Sequence, residues 1–89
     1  MWIQELLWDA DTEDKLASKH GVRLDEVADV CFGEHYERRG RENTHLLFGQ
    51  TSAGRYLMVV LGPRPDRRAK LITAREMTDA ERRAYQEAR

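Results

Sequence analysis

Two residue types in this chain carry proton and phosphate chemistry: three histidines, His20, His35 and His45, and arginines gathered towards the carboxyl end. Imidazole titrates near neutral pH, so histidine is the natural proton carrier. A guanidinium keeps its proton at any working pH and serves only to bind an anion or to stabilise developing charge. His20 stands just before Gly21, at what reads as the end of a helix. There it either transfers protons or bonds the last carbonyls of that helix. His45 falls on a strand whose facing is open, and His35 lies on a weak strand where solvent exposure is expected. Arg75 precedes the motif Thr78-x-x-Glu81, and Arg82 and Arg83 follow it. That motif is a capping box, and the free amides of a helix start favour an anion. Arg82 and Arg83 would point about 100° apart on such a helix and so divide the work. The alternative is that these arginines are solvated and pair with Glu76, Glu81 and Glu87. Cys31 reads as a core residue, since it falls on the apolar side of a short helix. The histidines and Cys31 share no short ligand spacing, and no glycine-rich phosphate loop is present, so neither metal nor cofactor is expected.

The elements that must position these groups follow from pattern. Trp2 to Trp8 alternates loosely and reads as a first strand. Asp9 to Asp14 opens a helix with acid near its positive end; the helix runs to about Lys19 and Gly21 stops it. Leu24, Val27, Ala28 and Cys31 recur at three- and four-residue spacing, a second short helix ended by Gly33. Beyond Gly33 the period changes. His35 to Arg39 is a weak or edge strand, Thr44 to Thr51 a central one, and Ser52-Ala53-Gly54 a hairpin turn. Arg55 to Leu61 is the returning arm, apolar throughout after Arg55 and therefore covered on both faces. Gly62 to Asp66 reads as a turn and Ala69 to Ala74 as a further strand. The capping box then opens a last helix to about Glu87. Apart from Ala80, Ala84, Tyr85 and Ala88 that helix is polar, so it packs weakly and a partner is expected to hold it. The order β-α-α-β-β-β-(β)-α indicates an α+β fold with a small, mostly antiparallel sheet and helices on one of its faces.

At 89 residues and 10.4 kDa the chain has room for one domain, spanning residues 1–89, near the lower limit for a useful core. Charged residues make up 35% and the mean hydropathy is −0.76, which leaves little apolar surface for a second layer. The longest apolar run, Tyr56 to Leu61, falls far short of the roughly 20 residues that span a bilayer, so no membrane partner is expected. One cysteine rules out an internal disulfide framework, and a cytoplasmic location is expected. The formal net charge of −1 hides an asymmetry. Met1 to Glu34 holds three basic against nine acidic residues, whereas His35 to Arg89 holds twelve basic against seven acidic. Eleven of those twelve cations are arginine, whose planar two-donor fork suits phosphate.

Several separated segments together resemble the BrnT family of bacterial type II toxins. They are Trp8-Asp9, the step Lys19-His20-Gly21-Val22 with Asp25-Glu26-Val27, and the hairpin Gly49-Gln50-Thr51 with Gly54-Arg55-Tyr56. The most specific is the closing stretch, Ile72-Thr73-Ala74-Arg75-Glu76-Met77-Thr78 followed by Glu81-Arg82-Arg83-Ala84-Tyr85. The resemblance implies a RelE-like ribonuclease fold and a metal-independent endoribonuclease. It also implies RNA as substrate, and a cognate DNA-binding antitoxin of the ribbon-helix-helix kind that neutralises the toxin in a hetero-oligomer. Metal-free RNA cleavage needs a base for the 2′-hydroxyl, an acid for the leaving 5′-oxygen and donors for the phosphorane. His20, at the matched Lys-His-Gly step, is the expected proton carrier. Arg75 is expected to hold the scissile phosphate and Arg82 to meet transition-state charge, with Arg83, Arg55 and Lys19 assisting in substrate binding. The alternative is a non-catalytic interaction module, a degenerate toxin or regulator that binds an antitoxin-like partner; the net charge favours it.

Overall fold

The computed structural model describes residues 1–89. Five strands are present: β1 (Glu5–Leu7), β2 (His35–Arg39), β3 (His45–Gln50), β4 (Tyr56–Arg64) and β5 (Arg68–Glu76). The helices are α1 (Ala10–Lys15), continued by a π-helical turn (Leu16–His20), then α2 (Leu24–Phe32) and α3 (Asp79–Ala88). The strands form one sheet in the order β1-β5-β4-β3-β2. Every pairing is antiparallel except the short parallel one between β1 and β5. The mixed α+β class with a mostly antiparallel sheet is as the sequence pattern indicates.

Local chemistry sets the element ends. The Asp9 carboxylate accepts from the Thr12 amide at 2.8 Å and so starts α1. Gly21 ends the π turn at φ +61°, a left-handed conformation that costs glycine nothing. Gly33 closes α2 for a different reason. Its φ is −102°, but a Cβ there would lie 2.6 Å from the Asp29 carbonyl oxygen.

Three sequence expectations need correction. The first strand is only Glu5–Leu7, because Trp2 lies outside the sheet with the Arg67 guanidinium 3.9 Å from its ring centroid. Gly62-Pro63 is not a turn: β4 continues through it to Arg64. Pro63 lies beyond the last β3 pair, His45 with Leu61, where a missing N–H is tolerated. The reversal falls instead at Asp66 and Arg67, both at positive φ.

The third correction is that helices cover both faces of the sheet. Leu47, Leu57, Val59, Leu61, Leu71 and Ala74 point to one face and join Leu16, Val22, Val27 and Val30 in the main core of 13 buried residues. The residues that alternate with them, Phe48 and Met58, meet Tyr85 of α3 on the other. Cross-strand register lays this second face out in rows. Tyr36, Phe48, Met58 and Arg75 form one row; Arg38, Leu46, Val60 and Thr73 form the next. Tyr85 is the only buried residue of α3, so the second layer is thin, as the polar last helix led us to expect.

The two faces therefore differ in how much each side chain contributes. Leu47 is wholly buried, whereas its neighbour Leu46 is half-buried against the smaller cluster. Leu47→Ala is expected to lower the unfolding free energy by about 2–5 kcal/mol and Leu46→Ala by clearly less. Urea unfolding followed by circular dichroism measures both; equal losses would mean that the second face is as closed as the first.

Candidate functional site

The arginines singled out by sequence have distinct surroundings. Arg75 lies within β5 rather than beyond its end, and its guanidinium forms a two-point pair with Glu81: Nη1 to Oε1 at 2.7 Å and Nη2 to Oε2 at 3.0 Å. The same carboxylate accepts from the Thr78 amide at 2.9 Å, while Thr78 Oγ1 accepts from the Glu81 amide at 3.1 Å. The capping box is therefore present, and it is fastened to the sheet. Arg55 is committed as well. Its Nη1 donates to both oxygens of Glu26, at 2.9 and 3.0 Å, and to the Gly21 carbonyl at 2.9 Å. The Glu26 side chain is only 5% exposed, so this arginine neutralises a buried carboxylate. Burial opposes ionisation of Glu26, yet the Arg23 amide and Arg55 together hold its pKa below the ordinary value. Both arginines bind protein carboxylates.

Arg82 is different. Its guanidinium lies 4.1 Å from the centroid of the Tyr56 ring, a cation–π contact, and no carboxylate pairs with it. Tyr56 is held in turn. Its hydroxyl accepts from Gln86 Nε2 at 3.3 Å, and its ring meets Tyr85 edge-on at 6.0 Å. That hydrogen bond from Gln86, with the charge of Arg82, lowers the phenol's pKa. Arg55, Tyr56, Glu76, Asp79 and Arg82 line a cleft of about 400 Å³ between the β3–β4 hairpin and the start of α3. The Glu76 side chain is 66% exposed and lies 3.7 Å from Arg55. The cleft therefore combines an unpaired guanidinium, an aromatic ring whose hydroxyl has a lowered pKa, and two carboxylates. Such a set can bind a phosphodiester and move its protons.

The histidines lie elsewhere. His20 and Lys19 line a separate cleft of about 240 Å³ with Thr12, Lys15, Ile72 and Thr73, and no residue is shared with the first. The structure thus brings Arg55 and Arg82 together, sets Arg75 beside them on the Glu81 pair, and keeps His20 and Lys19 apart. Arg83 is exposed on α3 and lines neither cleft. His35 is not merely solvent-facing: its Nδ1 lies 3.0 Å from the Val30 carbonyl oxygen and 3.1 Å from that of Gly33. Two acceptors on one nitrogen require Nδ1–H, so His35 ties the end of α2 to β2. His45 contacts Glu37 through Nδ1, and burial, with the charge of Arg39, pushes its pKa down. Burial pushes the Cys31 thiol up to about 12, which makes it an inert core residue. No three His, Cys, Asp or Glu side chains are grouped to hold a metal ion, and no helix is long and apolar enough to cross a membrane. Sequence reasoning missed Tyr56 and Asp79 as companions of Arg82 and weighed Glu76 only as an ion-pair partner of these arginines. Only the resemblance touched Tyr56, because the pairing joins residues 26 positions apart.

Comparison with known proteins bears on the family and the fold. Residues 8–81 match the family model described as "Ribonuclease toxin, BrnT, of type II toxin-antitoxin system". The chain is also similar to the crystal structure of the Brucella abortus ribonuclease toxin BrnT. The TM-score is 0.73 at 14% identity, covering 85% of this chain and 99% of that one. At that identity the likeness speaks for the fold alone. A search of curated proteins finds no match.

The Arg75 pair also sets a pH dependence. Hydrogen bonding from Arg75 lowers the Glu81 carboxyl from an ordinary 4.5 to about 2. A depressed folded-state pKa contributes stability above the unfolded value, and that contribution is lost as pH falls from 4.5 towards 2. Glu81→Gln is expected to be less stable than the wild type at pH 7 and to lose less stability on acidification across that window. Parallel urea titrations at stepped pH test this; identical pH profiles would remove Glu81 from the account.

Proposed function

The chain belongs to the BrnT family, ribonuclease toxins of type II toxin–antitoxin systems, and on that premise we propose that it cleaves RNA at the Tyr56–Arg82 cleft without a metal ion. One observation carries this choice of site: Arg82 is held over an aromatic ring yet pairs with no carboxylate, in a cleft that also offers proton carriers. Arg75 and Arg55 already have carboxylate partners. The Tyr56 ring gives a base a surface to stack on, and Arg82 binds the non-bridging phosphate oxygens. The exposed carboxylate of Glu76 takes the 2′-hydroxyl proton as that oxygen attacks phosphorus. Tyr56 gives its proton to the departing 5′-oxygen, leaving a 2′,3′-cyclic phosphate and a 5′-hydroxyl. Arg82 meets charge that grows only in the transition state. Arg75 acts through Glu81 by fixing α3 and with it Arg82, and Arg83 on the same helix extends the phosphate-binding surface. His20 and Lys19, in the separate cleft with Thr73, stand outside this chemistry and extend the RNA-binding surface there.

The sheet with α1 and α2 on one face and α3 on the other supports a RelE-like fold of one domain. A type II toxin has an antitoxin partner, here proposed to be a DNA-binding ribbon-helix-helix protein that forms a cytoplasmic hetero-oligomer with it. The non-catalytic reading has an observation in its favour as well, since two of the family-matched arginines bind protein carboxylates.

Cleavage of a long RNA in the presence of EDTA separates these readings. The wild type is expected to cut. Arg82→Ala is expected to lose on the order of 10²–10³ in rate, as for a transition-state donor. Tyr56→Phe and Glu76→Gln are each expected to be slower at unchanged fold, and His20→Ala to retain activity. A dead His20→Ala beside an active Arg82→Ala would move the site to the other cleft. An inactive wild type that still binds its antitoxin would establish the non-catalytic module.

A further inference from the structure

Tyr85 of α3 packs on Phe48 and Met58 and so covers the row that runs from Tyr36 to Arg75. The only buried side chain of α3 does not reach the next row, whose Thr73 end borders, with Ile72, the cleft that also holds Lys19 and His20. Leu46 and Val60 stand at the centre of that row, both half-buried, with Arg38 at one end and Thr73 at the other. A bulge widens this patch. Val60 pairs with Thr73 and Leu61 with Leu71, so Ile72 has no partner across the ladder and its side chain is 46% exposed. Gly62 has no side chain to oppose it. A Cβ there would meet Ile72 Cδ1 at 3.6 Å and Arg64 Nη1 at 3.1 Å, which places both side chains over the glycine. Leu46, Val60 and Ile72 therefore form an aliphatic strip beside α3, with Arg38 and Arg64 along its margin. Neither arginine has a carboxylate partner: Arg64 donates to its neighbour's carbonyl at 2.9 Å, and Arg38 lies 5.9 Å from the Phe48 ring.

We infer that this open half of the sheet, Leu46, Val60 and Ile72 with Arg38 and Arg64, is where the antitoxin docks, through an amphipathic helix with acidic flanks laid alongside α3. The inference rests on the family membership stated above and adds the surface and the chemistry of the segment it accepts. An apolar strip with a polar rim is the anatomy of a protein interface. The exposed strip also needs a cover, since contiguous apolar surface on a small protein marks a contact site. The occupant's form follows from the architecture. A sheet face takes helices as its second layer, and α3 already supplies one over the adjacent row. Its charge follows from Arg38 and Arg64, which need acid opposite them and repel a basic segment. The strip's own composition separates protein from RNA. Single strands are held by stacking bases on aromatic rings, and Leu46, Val60 and Ile72 provide none. The rings that serve RNA lie at the far side of α3, by Tyr56 and Arg82.

The test uses the full chain and, as antitoxin, the protein encoded by the adjacent reading frame. Affinity is measured by isothermal titration for the wild type, Ile72→Glu, Arg64→Glu, Arg64→Lys and, as control, Asp14→Lys on the exposed side of α1. Circular dichroism confirms that each variant is folded. Ile72→Glu and Arg64→Glu are expected to weaken binding by about tenfold or more each, as for loss of an interface anchor. Arg64→Lys, which keeps the charge, should recover most of that loss, and Asp14→Lys should bind as the wild type does. Equal affinity across the series, with the wild type binding tightly, would overturn the surface and leave the toxin–antitoxin reading intact. Failure of the wild type itself to bind at micromolar concentration would overturn both. Two further results would reassign the face. One is a self-association of this chain that Ile72→Glu dissolves, which would give it to a second copy. The other is a loss of RNA binding in Arg64→Glu at unchanged antitoxin affinity, which would give it to RNA.

Discussion

One carboxylate positions everything on the second face of the sheet. Glu81 caps its own helix by accepting from the Thr78 amide, and it also receives both nitrogens of Arg75 from β5. These roles reinforce each other. The cap needs the carboxylate ionised near the positive end of α3, and the guanidinium keeps it so. Without that anchor α3 has little to hold it, because Tyr85 is its only buried residue and an isolated helix of ten residues is marginal in water. Where α3 lies decides two further things. It carries Arg82 onto the Tyr56 ring, and it leaves the strip from Leu46 to Ile72 uncovered. Candidate chemistry and candidate interface thus derive from the same short contact.

The first face is built on the opposite principle. There the layer is held by apolar packing of the π turn, α2 and the sheet, and one buried ion pair closes its corner. Arg55 reaches from the hairpin to Glu26 on α2 and to the carbonyl of Gly21, so one guanidinium ties the hairpin to a helical corner 29 to 34 residues earlier. A pair of this kind adds little net stability beyond what apolar residues would give, but removing one partner strands a buried charge. Its value is positional. It fixes the hairpin end, and therefore Tyr56, the residue after Arg55, relative to the helices.

How much of this was legible in the sequence depends on whether the governing interaction is local. Helix starts at Asp9 and Thr78, the left-handed stop at Gly21 and the β2 edge strand all follow from residues within a few positions of one another, and all are present. The continuation of β4 through Gly62-Pro63 was not legible, because proline is tolerated there only through the early end of β3, a fact about another strand. Coverage of both faces was half legible: the apolar run after Arg55 implied it, while the polar composition argued against a second layer. The candidate site was the least legible part. Its arginine-rich closing segment pointed to α3, but which arginine is free depends on partners elsewhere. Arg75 binds a carboxylate six residues away and Arg55 one 29 residues away. His20 drew attention by type and neighbours, and folding places it in a different cleft.

The charge balance illustrates the same point at the scale of the whole chain. A net charge of −1 speaks against a polyanion as partner only if the charges are free, and many of the acids are not. Asp9 caps α1 and pairs with Lys70; Glu26 neutralises Arg55; Asp29 accepts from the amide and hydroxyl of Ser52; Glu81 holds Arg75. Each of these carboxylates is used within the fold, and most cancel a cation there. Arginines without a carboxylate partner remain, Arg38, Arg64 and Arg82 among them, and all three lie on the side of the sheet that α3 half covers. An acidic helix approaching Arg38 and Arg64 therefore meets unpaired positive charge, whatever the formal sum, while at the cleft Arg82 stands beside the carboxylates of Glu76 and Asp79. Internal pairing of carboxylates thus lets a chain of near-zero net charge present arginines that no carboxylate holds.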